Sequence, residues 1–232
     1  TVHALTAREM ADVSLDGSRS RAEVEPLTYY GVARVQQEFN KGHQGLGVLS
    51  TYTSRFFKDD RLRLEMNNNS LFAGVDGWVS LDTNRTWVLT GWGGFSQVRG
   101  TRERMLDVQQ NSQHYFQRPD AGHVQIDSSA TSLGGYAGRL FLVKQKGAVM
   151  ANAALGVISP GFDVNDLGFS WRTDLINMHV AAGYRWTEPG KLFRRASLNA
   201  AFFQTFDFGG NVTWRGVWQS GNLEFHNFWS MF

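Results

Sequence analysis

Apolar and polar residues alternate with a period of two along most of this chain. The clearest run is residues 175–186, where Ile176, Met178, Val180, Ala182, Tyr184 and Trp186 carry the apolar set and Asn177, His179 and Arg185 fall between them. A period of two predicts a β-strand with one apolar and one wet face. At roughly twelve residues the run exceeds the usual strand of about 5 to 6 and approaches the ~9–11 that cross a bilayer at a tilt. Its apolar face ends on Tyr184 and Trp186, residues suited to a membrane–water boundary.

The same alternation predicts about ten strands. Residues 1–11 form a blurred first strand. Residues 12–26 are polar with a turn signal at Asp16-Gly17, a loop or a hairpin projecting beyond the bilayer. Residues 28–39 set Tyr29, Val35 and Phe39 against Arg34, Gln36 and Glu38, and Asn40-Lys41-Gly42 turns the chain into 44–52. Further strands are expected at 71–81, 87–95, 131–143, 149–157, 175–186, 196–208 and 216–232. Charged loops fill 55–69 and 96–130, the latter with a short helix at 101–110 carrying Met105, Leu106 and Val108.

Long connections follow strands one, three, five and seven, and tight turns follow two, four, six and eight. That asymmetry is how outer-membrane barrels are built, with the tight turns periplasmic. The ninth connection, 209–215, is shorter than the pattern asks. A soluble β-sandwich also alternates, but it does not require charges at mid-strand. Here Arg34, Glu38, Asp76, Arg139, Asn177, His179, Arg185, Glu224 and His226, with Asp207, all fall opposite the apolar face, as a water-filled lumen would require. The expected fold is therefore an all-β, antiparallel up-and-down transmembrane β-barrel, complete or partial, over residues 1–232.

Composition agrees. The chain has 25 Gly, 13% aromatic residues, 4 Pro and no Cys, which favours strands over helices and excludes a disulfide framework and thiolate metal ligands. The net charge of +2 is too small to point to nucleic acid. No stretch reaches the ~18 consecutive apolar residues of a membrane helix. A start at Thr1 without a signal peptide suggests an internal or C-terminal piece of a longer precursor.

Several motifs are distinctive: Glu25-Pro26-Leu27-Thr28, the run from Val35 to Gly42, Tyr115-Phe116-Gln117-Arg118-Pro119-Asp120, the run from Ser159 to Phe169, and the run from Gly183 to Pro189. From about Val24 onward, in matching order, they resemble a bacterial family of unknown function (domain of unknown function 5916). The resemblance implies an outer-membrane β-barrel. Full-length members carry an N-terminal carbohydrate-binding-like domain, and this chain is without it. No reaction is established for the family, so the resemblance supplies no catalytic residue.

Candidate chemistry is sparse. His179 and His226 are expected on the lumen side, with Glu224 two residues from His226 as an acid–base partner; cross-strand hydrogen bonding is the plainer role. Neither a Gly-x-Ser-x-Gly elbow nor a His-Glu-x-x-His helix is present. Asp163, Asn165 and Asp166 offer oxygen ligands for Ca²⁺ but lack the rest of a calcium loop, so an Asx-turn loop anchored by Phe162 and Phe169, able to plug a pore, is the plainer reading. Tyr115 and Phe116 with Arg118 and Asp120 suit stacking and hydrogen bonding of a sugar ring, or simple packing at the barrel mouth. Arg99, Arg102 and Arg104, with Arg55, Lys58, Arg61 and Arg63, suit lipopolysaccharide phosphates or a solvated rim with the interleaved acids.

These readings lead to an outer-membrane barrel that passes or binds a small hydrophilic solute, carbohydrate foremost, with outer-membrane lipid and lipopolysaccharide as neighbours and no cofactor. An envelope hydrolase and a structural anchor for a carbohydrate-binding domain are the alternatives.

Overall fold

The computed structural model describes residues Thr1 to Phe232. Its strands are β1 (Val2–Thr6), β2 (Glu9–Leu15), β3 (Ser18–Glu25), β4 (Leu27–Phe39), β5 (Gln44–Phe56), β6 (Asn69–Ser80), β7 (Trp87–Arg99), β8 (Ser132–Lys144), β9 (Val149–Ile158), β10 (Leu175–Trp186), β11 (Phe193–Phe206), β12 (Val212–Phe225) and β13 (Ser230–Met231). Two helices, α1 (Asp60–Glu65) and α2 (Arg102–Gln110), lie in the long connections.

Eleven strands form one antiparallel sheet in the order β1-β4-β5-β6-β7-β8-β9-β10-β11-β12-β13. From β4 onward every strand pairs with its successor in the chain, an up-and-down meander. A sandwich would need a second sheet packed face to face. The only other sheet is the β2–β3 ribbon. Only 32 of 232 residues are buried, too few for two packed layers. The sandwich is thereby excluded, and the all-β, antiparallel up-and-down organisation stands. The two ends of the sheet are not paired with one another, so closure is not part of this sheet.

The ribbon continues the β1–β4 pair past Pro26, whose missing N–H interrupts the ladder. It turns at Asp16 and Gly17, both with positive φ, as a two-residue hairpin demands. Of the two alternatives for residues 12–26 a hairpin is the one formed, and it starts at Glu9, so the first strand expected over 1–11 ends at Thr6. Its base is pinned by Glu23, which is buried and accepts from the Lys58 and Asp59 backbone N–H groups at 2.8 and 2.7 Å and from Arg8 Nε at 2.5 Å. Burial alone would raise the Glu23 carboxyl; these bonds outweigh it and hold it below its ordinary value.

Several boundaries shift from expectation. β5 runs to Phe56 and β7 to Arg99, each about four residues longer than the alternation suggested. The last expected strand is two elements: β12 ends at Phe225, a turn with Phe228 at φ +66° follows, and β13 begins. His226 therefore lies in that turn and not mid-strand. Asp207 likewise lies beyond β11, in the connection to β12. The helix expected at 101–110 is α2, capped by Thr101 Oγ1, which accepts from the Arg104 N–H at 3.1 Å. The helix α1, capped by Asp59, was not anticipated.

The register assigns each strand residue to a face. Val35, Val48, Val75, Leu140, Val180 and Leu198 share one face of the sheet, and all are exposed. Aromatic side chains sit nearer the strand ends on that face: Tyr52, Phe95 and Tyr136 towards the long loops, Phe39, Tyr184 and Trp186 towards the tight turns. The other face carries the charges.

Candidate functional site: the polar face and its cap

Across the polar face, neighbouring strands place Gln36, Gly47, Asp76, Trp92, Arg139, Gly156 and Asn177 in one row. The next row holds Glu38, Gly45, Trp78, Thr90, Phe141, Ala154 and His179. Arg34 grips both carboxylate oxygens of Asp76 through its two terminal nitrogens, one bond measuring 2.8 Å. His179 Nε2 meets Asn152 Oδ1 at 2.8 Å, and Arg194 Nη1 donates to Glu224 at 3.0 Å. Arg185 contacts the Met150 sulfur. Arg34, Glu38, Asp76, Arg139, Asn177, His179, Arg185 and Glu224 of the expected set do share one face; His226, exposed in the turn after β12, and Asp207, buried in the connection after β11, fall outside it.

The candidate acid–base pair is not assembled. His226 Nε2 donates to the Gly190 carbonyl at 2.8 Å, Glu224 is engaged by Arg194, and His179 lies far along the sheet on β10.

Large aromatics also occupy the polar face. Trp78, Trp92 and Phe141 line a cavity of about 460 Å³ together with Asp76, Thr90 and Arg139. Trp78 lies flat across β5: a Cβ on Gly45 would come within 2.2 Å of its ring, so only glycine fits beneath it. The indole N–H donates to the Gly42 carbonyl at 3.2 Å, which fixes the ring. Trp78 shares the parity of Asp76 on β6 and Phe141 that of Arg139 on β8, which was the signal available in the sequence; Trp92 joins them only through the register.

At the long-loop end the connections fold back over the polar face. From α2, Met105 and Val108 pack on Val98, with Leu133 beside them. The 159–174 connection lays Phe162 edge-on against Phe72, ring centroids 6.2 Å apart, and its Asp163 N–H donates to Ser96 Oγ at 2.9 Å. Phe162 is thus an anchor as expected. Phe169 is not: it is 85% exposed, pointing away from the packed side of the loop. The calcium candidates are committed elsewhere. Asp163 accepts from the Asn165 N–H as an Asx turn, Asn165 bonds Gln113 and Ser170, and Asp166 pairs with Arg55 at 2.5 Å and Asn67 at 2.8 Å. Burial pushes the Asp163 carboxyl up; the Asn165 N–H opposes this, and the Asp166 charge adds to it.

The pairing of Arg55 with Asp166, and of Arg104 with Asp107 at 2.6 Å and Asn67 at 3.0 Å, turns both arginines into the cap and away from an outer rim.

A second constellation, missed in the sequence, ties three connections together. Arg118 donates to Asp174 and reaches Asp207 at 3.5 Å and Asp120 at 3.0 Å, while His123 Nε2 lies 2.9 Å from Asp174. Asp174 and Asp207 are both buried. Burial would raise Asp207, but the Asn211 side chain and N–H, then His123 and Arg118, hold it below its ordinary value. The ligand atoms of His123, Asp174 and Asp207 lie within 4.8 Å of one another, a spacing a metal could use. Arg118 already bridges both carboxylates and supplies the positive charge, so the group reads as a clasp. Sequence spacing carried no sign of it, because its members come from loops far apart in the chain.

Of the expected loop contacts, Tyr115, Arg118 and Asp120 border one cleft of about 210 Å³ with Trp171, Arg172 and His114. Tyr115 and Trp171 are exposed there. Phe116 turns instead onto the His114 ring, centroids 6.0 Å apart. Burial pushes His114 down to about 4; the Phe162 backbone opposes this shift, and Arg104 adds to it.

No curated protein and no solved structure matches the chain. Residues 96–231 match a family described as a domain of unknown function, DUF5916. The matched region contains the Tyr115–Asp120, Ser159–Phe169 and Gly183–Pro189 motifs, and it runs from the end of β7 through β13 with the whole clasp. Spanning more than half of the 232 residues, it shows that the chain belongs to the DUF5916 family.

Proposed function

We propose that the protein forms an outer-membrane β-barrel, or a large part of one, whose polar face passes or binds small hydrophilic solutes, carbohydrate foremost. The observation that carries this reading is the exposed apolar face: strand after strand presents Val, Leu and aromatic side chains on the side away from the charges. Burying each such side chain is worth roughly 1.5–3 kcal/mol, so a band of them facing water is a large standing cost, and lipid removes it. The aliphatic centre flanked by aromatic ends is the lipid-facing layout of such barrels. The long connections with α1 and α2 then face outward and the tight turns face the periplasm. Lipopolysaccharide meets the outer rim, where Lys58 and Arg102 carry no ion pair.

Closure follows from the same physics. Lipid leaves unpaired backbone groups at a cost of several kcal/mol each. The outer edge of β12 from Val212 to Asn222, and of β4 from Ala33 to Phe39, must therefore be paired in the membrane.

Expressed in a Gram-negative host, the protein is expected to fractionate with outer membranes and to migrate differently on gels when heated. Reconstituted into liposomes, it is expected to admit sugars in a size-dependent manner. Soluble fractionation with heat-independent migration sinks the membrane reading; insertion without sugar-dependent swelling or sugar binding removes the solute role.

A further inference from the structure

We infer that the cavity between Trp78, Trp92 and Phe141 is a sugar-binding subsite selective for acidic sugars, those bearing a carboxylate. The inference rests on the reading above, in which the polar face lines solvent-filled space.

The shape comes first. About 460 Å³ falls within the ~300–1,000 Å³ of small-molecule sites. Its walls are aromatic. Trp78 has one ring face pressed on the β5 backbone at Gly45 and its N–H spent on Gly42, so its remaining face is free to pack a ligand. Trp92 stands beside it on β7, 43% exposed in mid-strand on the polar face. Exposed tryptophan there is costly in water unless something covers it, and the C–H face of a sugar ring is the hydrophilic partner that packs on an indole.

Charge then selects among sugars. Across the row, Trp92 lies between Asp76 and Arg139. Asp76 is neutralised by Arg34, which engages both its oxygens. Arg139 takes part in no ion pair and no side-chain hydrogen bond, so one positive charge and its planar fork of donors are left for a ligand. A guanidinium matches a carboxylate with two parallel bonds, stronger than neutral hydrogen bonds. Thr90 and Gln145 line the same cavity as neutral hydrogen-bonding groups for hydroxyls. A neutral sugar would leave Arg139 unmatched, and a cationic one would be repelled.

The test uses the full chain in detergent micelles, titrated with trigalacturonic acid and with its neutral counterpart galactotriose while tryptophan fluorescence is followed. The acidic trisaccharide is expected to quench saturably and to bind at least about tenfold tighter than the neutral one, the margin of one charge-assisted bond. Arg139→Met should erase that margin while leaving neutral binding in place, and Arg139→Lys should restore part of it. Trp92→Ala should weaken both sugars. Equal affinity for the two trisaccharides, or selectivity that survives Arg139→Met, overturns the inference. Absence of acidic binding in protein that inserts into outer membranes overturns it while leaving the membrane reading intact. Acid-selective binding by protein that does not insert does the reverse.

Discussion

At the scale of single residues, His114 is the group with the largest consequence for the cap. It is 1% exposed, beneath the cleft bordered by Tyr115 and Trp171, and burial holds it neutral down to about pH 4. A histidine free in the unfolded chain takes up its proton near 6.5. Between those values the unfolded state binds the proton and the folded state does not, so stability is fully present above about 6.5 and is lost as pH falls towards 4. The loss is on the order of 3 kcal/mol, comparable to a whole local opening. Asp163 works in the opposite sense: burial raises its pKa, so acidification relieves a cost. His114→Phe separates the two. Measured by hydrogen exchange relative to the intrinsic exchange rate at each pH, the protection of the α2 amides is expected to fall in the wild type as pH drops through that window, and to stay level in the variant. Protection unchanged with pH in the wild type contradicts the assignment.

At the scale of elements, the 159–174 connection docks because Gly135 on β8 allows it. A Cβ at Gly135 would come within 2.2 Å of the Phe162 nitrogen and 2.5 Å of the Gly161 carbonyl carbon, backbone atoms that cannot rotate away. Gly135→Ala therefore has to lift the loop, an overpacking penalty of roughly 1–3 kcal/mol. The expected result is faster protease cleavage within 159–174 with the sheet's circular dichroism unchanged; a loop as resistant as the wild type refutes the docking. How legible these elements were depends on what covers them. Where one face meets the apolar band and the other meets polar groups, alternation placed β4, β6, β8, β9 and β10 to within a few residues. At the loop ends the rule inverts, since the cap packs on the otherwise polar face. Ser96 and Val98 of β7 read as loop, yet Ser96 is buried under Asp163, and Val98 packs on Met105 and Val108. The same limit hid the site. Trp78 is marked as a polar-face residue by its parity with Asp76 on the same strand, whereas Trp92 is placed there only by the pairing of β7 with β6. Asp174 and His123 meet Arg118 through loop geometry that no local spacing encodes.

At the scale of the whole molecule, the two faces of one strand give the sharpest test of what surrounds the sheet. Val180 and Ala181 are adjacent on β10, and the register points them to opposite sides. Val180 falls in line with Ala153, Phe202 and Val217 on the apolar face, 58% exposed; Ala181 falls in line with Asn152, Ala201 and Trp218 on the other. In a soluble sheet with its apolar face in water, an arginine at Val180 would cost little, because it replaces an exposed apolar group by a charged one. In a bilayer the same change costs about 2–4 kcal/mol near the midplane. Arginine at Ala181 lies on the charge-bearing face beside Asn152 and meets water in either case. Val180→Arg is therefore expected to reduce folded protein in the outer membrane several-fold, read as loss of the heat-modifiable band, whereas Ala181→Arg keeps that band. Equal tolerance of both changes would mean that the apolar face is covered by something other than lipid. Greater sensitivity at Ala181 would place the packed interior on the charged side, reversing the sense of the sheet on which the cavity, the cap and the clasp all depend.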